Sequence, residues 1–167
     1  MTRTTTNRPR FALGARTHKI LLTAHIAAAV GLLGDSAGFL AVAIRADSTG
    51  DPGFAASLYR LLEMFAMVFG IPLSFIALLL GLALGWGTAW GVFRYPWTML
   101  KLALIVSVIL VGALAISPAL DAAQAGTGGH TALILASAWD VLALLTATAL
   151  AVFKPRRLPI PRAVHER

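Results

Sequence analysis

Gly85-Trp86-Gly87-Thr88-Ala89-Trp90-Gly91-Val92-Phe93-Arg94-Tyr95-Pro96-Trp97-Thr98-Met99-Leu100-Lys101-Leu102 lies between two long apolar segments. It holds three of the four tryptophans in the chain, three glycines, a proline and two cations. Trp and Tyr favour the headgroup level of a bilayer, Gly and Pro favour turns, and a cation such as Arg94 favours the cytoplasmic face. The stretch reads as a tight re-entry loop at a membrane surface. Lys101 falls about one turn inside the next apolar segment, where a cation is costly unless it snorkels or finds a partner.

Composition agrees with that reading. Of 167 residues, 58% are hydrophobic and 13% charged, and the mean hydropathy is +0.80. A soluble domain carries about 25% charged residues. The length fits one small bundle rather than two domains. The absence of cysteine excludes disulfides, iron–sulfur clusters and thiolate metal sites. The net charge of +7 is concentrated at the two ends. No aromatic–basic platform accompanies it, so the expected partner is the lipid bilayer and not nucleic acid.

Four apolar spans are expected, at 20–44, 58–84, 97–116 and 131–153. At 1.5 Å per residue each can cross roughly 30 Å of hydrocarbon. The expected fold is all-α: a four-helix transmembrane bundle between a basic arm (1–19) and a basic tail (154–167). A cleaved signal peptide ending near Ala41-Val42-Ala43 is disfavoured, because the apolar run is too long and contains Asp35. Ser57 is expected to cap the second span and Pro72 to kink it. Ser117-Pro118 is expected to end the third. Ala27 with Gly31, and Gly34 with Gly38, offer spacings that let helix backbones approach.

The arm and the tail each carry five of the fourteen Lys and Arg residues. The positive-inside rule then puts both termini in the cytoplasm. Reporter fusions at the C-terminus and at Gly126 are expected to report opposite sides of the membrane. The same side at both points would remove the four-span arrangement.

Five ionisable residues fall within the spans: His25, Asp35, Glu63, Lys101 and Asp140. A charge at mid-membrane costs at least ~2.5–3.5 kcal/mol, so each is a candidate for function. Depth sorts them into two groups. His25 and Lys101, the latter one turn from Trp97, share the inner half and differ in depth by about 3 Å before tilt. Asp35 and Asp140 lie farther out, where Glu63, Arg60 and His130 could join them in a proton- or cation-handling site. The plainer readings are that His25 bonds a backbone carbonyl, Lys101 snorkels to the headgroups, and Arg60 with Glu63 forms an interfacial ion pair.

The run Gly87-Thr88-x-Trp90-Gly91-x-Phe93-Arg94-x-x-Trp97-x-x-x-Lys101-Leu102 resembles an uncharacterised, largely actinobacterial family of four-span integral membrane proteins. Leu21-Leu22-Thr23-Ala24-His25, Val30-Gly31-Leu32-Leu33-Gly34 and Val152-Phe153-Lys154-Pro155 extend the resemblance. No activity comes with it, and it implies a multi-pass location in a bacterial cytoplasmic (inner) membrane. A more distant likeness is to the copper-resistance-D-like superfamily, which includes membrane protoporphyrinogen oxidases that bind b-type haem. His25 and Trp97-x-x-x-Lys101-Leu102 match its pattern, which implies a haem facing His25, Trp97 and Lys101 between spans one and three.

Three functional readings stand at this point. One is a membrane protein binding haem or another redox cofactor. Another is a proton- or ion-coupled transporter component, with Asp35, Asp140, Glu63 and His130 on the route and Pro72 at its moving part. The last is a non-catalytic partner subunit or homo-oligomer in which the acids are interhelical glue. No nucleophile–base pair or phosphate-binding loop points to an enzyme.

Overall fold

Four helices, Ala15–Ser48, Pro52–Trp86, Pro96–Gln124 and His130–Val152, make up nearly all of residues 14–86 and 96–153, which the computed structural model describes. Each is long and apolar enough to cross a membrane. Most of the basic arm, the tail and most of the 85–96 loop lie outside the described residues. The first helix begins at Ala15, so Arg16, His18 and Lys19 belong to it rather than to an arm.

Only residues 49–51 separate the first two helices. Asp51 caps the second: its carboxylate accepts from the Gly53 N–H at 2.9 Å and the Phe54 N–H at 3.2 Å. Pro52 occupies the first helical turn, where no donor is needed. Ser57, expected as the cap, lies inside the helix and donates to the Gly53 carbonyl at 3.0 Å.

Both internal prolines are carried by the same device. Pro72 has no N–H, and in an α-turn its ring would crowd the carbonyl four residues back. The chain widens instead. Ala66–Gly70 forms one π-helical turn, and the Ile71 N–H reaches back to the Ala66 carbonyl. Gly112–Ile116 repeats the arrangement just before Pro118, with the Ser117 N–H on the Gly112 carbonyl. Such turns insert one extra residue and are common at functional sites. The third helix therefore does not stop at Ser117-Pro118 but runs on to Gln124.

The helices pack as the corners of a square. The backbone of the first approaches those of the second and fourth, as does that of the third, while the first and third stand diagonally opposite and meet only through core side chains. Near the 49–51 and 125–129 turns, here the loop end, the core is Phe39, Ala43, Tyr59, Leu62, Leu120 and Leu133. Toward the other end, Leu32, Val108, Ala143 and Leu144 form a second core. Gly31 and Gly38 admit Leu73 and Phe65 of the second helix to within 3.4 and 3.5 Å of where their own Cβ atoms would sit. The turn before the fourth helix requires glycine at 129, where φ is +90° and a Cβ would overlap the Ala119 carbonyl.

The second and third helices meet near the loop end and again near the other end, but their π-turns do not touch. In a bilayer, where lipid is as apolar as leucine, association rests on packing rather than on water exclusion. A gap at mid-depth is therefore a local loss of cohesion, and it is where the polar groups collect.

Candidate functional site: an acid-lined cavity at mid-depth

The gap is a cavity of about 430 Å³ bounded by all four helices. Each helix brings one acid to its wall: Asp35 from the first, Glu63 from the second, Asp121 from the third and Asp140 from the fourth. Among the described residues no Lys, Arg or His lines it. Gly70 and Gly112, one from each π-turn, form part of the same wall.

Depth follows from contacts. Tyr59 and His130 are level, since the Tyr59 hydroxyl and His130 Nδ1 are 2.7 Å apart. From His130 to Asp140 the fourth helix advances about 15 Å. From Tyr59 to Gly70 the second helix advances by a similar amount, and Asp35 Oδ2 lies 3.2 Å from the position of a Cβ on Gly70. Asp35 and Asp140 thus sit at one depth, about half a hydrocarbon thickness below the Tyr59–His130 level. Glu63 and Asp121 are exposed and lie nearer the loop end.

Asp140 is only 6% exposed, and its Oδ1 is buried with no hydrogen-bond partner; Asp35 Oδ1 is likewise buried and unpartnered. A buried polar oxygen without a partner is costly, and a buried carboxylate far more so. The nearby hydroxyls do not relieve it. Ser137 donates to the Leu133 carbonyl at 2.6 Å and Ser74 to the Ile71 carbonyl at 2.8 Å. With those hydrogens turned back into their own helices, both serines offer the cavity oxygen lone pairs.

The other expected site residues fall elsewhere. His130 does not line the cavity; it bonds Tyr59 beside a second pocket of about 320 Å³ at the loop end. Glu63 accepts from Gln124 Nε2 at 3.1 Å, and among the described residues no ion pair joins it to Arg60. Asp121 is the acid that the sequence reading left in a loop. Its signal was available: Ser-Pro followed by Ala-Leu-Asp-Ala-Ala-Gln reads equally well as a first helical turn.

His25 is turned toward the second helix. Its Cε1 lies 3.2 Å from where a Cβ on Gly81 would be, and the ring sits against the Ala77 backbone, with Nδ1 buried and unpartnered. Lys101 Nζ lies 4.8 Å from the centre of the Trp97 ring, one turn back on its own helix. Lys101 is close enough for its charge to reach His25, but neither residue lines the acidic cavity. Among the described residues no three His, Cys, Asp or Glu side chains are arranged to hold a metal ion.

The family model described as "Predicted integral membrane protein (DUF2269)" matches residues 19–155. The chain belongs to the DUF2269 family. The match takes in all four helices, the cavity and the 85–102 stretch. Neither the curated proteins nor the solved structures contain a match to this DUF2269 chain.

Proposed function

We propose that this integral membrane protein is a small proton- or cation-coupled transport component, with Asp35 and Asp140 as the groups that take up and release the charge. The observation that carries the reading is the pair of buried, unpartnered carboxylate oxygens beside a largely apolar cavity at mid-depth. In an apolar bundle a carboxylate needs a neutralising charge, and among the described residues no cationic side chain lines this cavity. A bound proton or cation supplies it. The exposed Glu63 and Asp121 continue the acidic lining toward the loop end and would draw cations in. The excess of Lys and Arg at the two ends supports an orientation in which this loop end faces away from the cytoplasm.

Infrared difference spectroscopy of the full-length protein in liposomes tests the proton part directly. Between pH 5 and pH 9 a protonated-carboxyl C=O band is expected to disappear as pH rises, and to be absent in Asp140→Asn or Asp35→Asn. A band unchanged in both variants would overturn the proposal.

A further inference from the structure

Metal ions and organic cations make different demands on a carboxylate site. A metal ion needs three or more ligand atoms converging within about 2–2.6 Å of one point. Here the acids come one from each helix and are spread along the wall, and no three of them converge among the described residues. An organic cation has its charge embedded in an apolar body, so it needs one or two carboxylates together with apolar and aromatic surface. The cavity has that composition: Phe39, Phe75 and Met67 line it alongside Asp35 and Asp140. Its volume of about 430 Å³ falls in the range of about 300–1,000 Å³ that takes small organic ligands.

Resting on the charge-handling reading above, we infer that the ligand of this cavity is a lipophilic organic cation, such as a quaternary or aromatic ammonium or phosphonium, paired with Asp140 and Asp35. Asp140 makes this more than a cluster of acids, because it is 94% buried, is part of the cavity wall and leaves one carboxylate oxygen without a hydrogen-bond partner. The aromatic rings add cation–π attraction, which is larger in a desolvated site. The hydroxyl oxygens of Ser74 and Ser137, whose hydrogens are engaged elsewhere, favour a positive ligand over an anion. The route in need not be aqueous. Such cations partition into the bilayer, and the second and third helices stand apart at the π-turns.

Protons compete for the same carboxylates. The charged groups facing the cavity are Asp35 on the first helix, Glu63 on the second, Asp121 on the third and Asp140 on the fourth. All are acids, so falling pH can only remove negative charge from the site. Cation affinity must therefore decrease as pH falls.

Equilibrium binding of tetraphenylphosphonium to the purified full-length protein in detergent micelles tests the inference. Saturable binding is expected at pH 8, at least tenfold weaker at pH 5.5 and at least tenfold weaker in Asp140→Asn. Gly112→Leu separates this inference from the broader one. Gly112 is part of the cavity wall, and a Cβ there meets nothing within 4 Å, so a larger side chain is expected to take up cavity volume without a backbone clash. It is expected to lower tetraphenylphosphonium affinity at least tenfold while leaving the infrared carboxyl band intact. Absence of saturable binding at pH 8, binding unaffected by Gly112→Leu, or displacement by Mn²⁺ at equal concentration overturns the organic-cation inference even if the carboxyl band is present. Absence of a titrating carboxyl band from the wild-type protein overturns the charge-handling reading itself.

Discussion

Asp140→Leu is expected to stabilise the protein while removing its ligand binding. The wild-type carboxyl group is 6% exposed and leaves one oxygen without a partner. An unsatisfied buried polar group costs about 1–3 kcal/mol, and an apolar side chain of similar size removes that cost. Denaturant titration in micelles should show a gain of about 1–3 kcal/mol. The gain should be larger at pH 9 than at pH 5, because an ionised carboxylate is costlier to bury than a neutral acid. Tetraphenylphosphonium binding should fall at least tenfold in the same variant. A loss of stability at both pH values would mean that Asp140 holds the bundle together, and the glue reading of the acids would return.

Deletion of Val68 is expected to leave a folded bundle with a diminished cavity. In an uninterrupted helix, removing one residue turns everything beyond it by about 100°. In Ala66–Gly70 the extra residue of the π-turn is the one removed, so the helix beyond it returns to α-register and Ser74 and Ala77 keep facing inward, at a cost of about 3 kcal/mol for Pro72 in an α-turn. Val68 is 55% exposed and belongs to no core. Deleting Leu142, 61% exposed on the regular fourth helix, provides the contrast. That deletion swings Ala143 and Leu144 out of the core. Thermal unfolding in detergent should show a cooperative transition for the Val68 deletion and none for the Leu142 deletion. Tetraphenylphosphonium affinity of the Val68 deletion should drop at least tenfold. Equal damage from both deletions would show that the π-turn is not a removable insertion.

The fold was legible because a bilayer leaves few choices. Runs of about 20 apolar residues must be helices, and four such runs at this length make one bundle. Asp35 and Asp140 were legible for the same reason: an acid inside such a run stands out. Depth could be counted from helix entry points, whereas the direction a residue faces could not. That is why His25 and Lys101 were grouped by depth alone, whereas the structure shows that His25 packs beside Gly81 of the second helix and Lys101 lies over Trp97. It is also why His130 was grouped with acids that it does not join. Asp121 was missed because Ser117-Pro118 has two readings, and only the bundle shows that a π-turn carries the helix through the proline.

The cavity also shapes the electric field across the bundle. It extends from the exposed Glu63 and Asp121 to Asp35 and Asp140 at mid-depth, with polar groups along its wall. Wherever water fills it, the low-dielectric barrier is thinned from one side only. The membrane voltage then drops mainly across the layer between Asp140 and the terminal face. A charge moving between Asp140 and the loop end crosses little of that voltage. A charge moving the other way crosses most of it, at up to about 2.3 kcal/mol per elementary charge for each 100 mV.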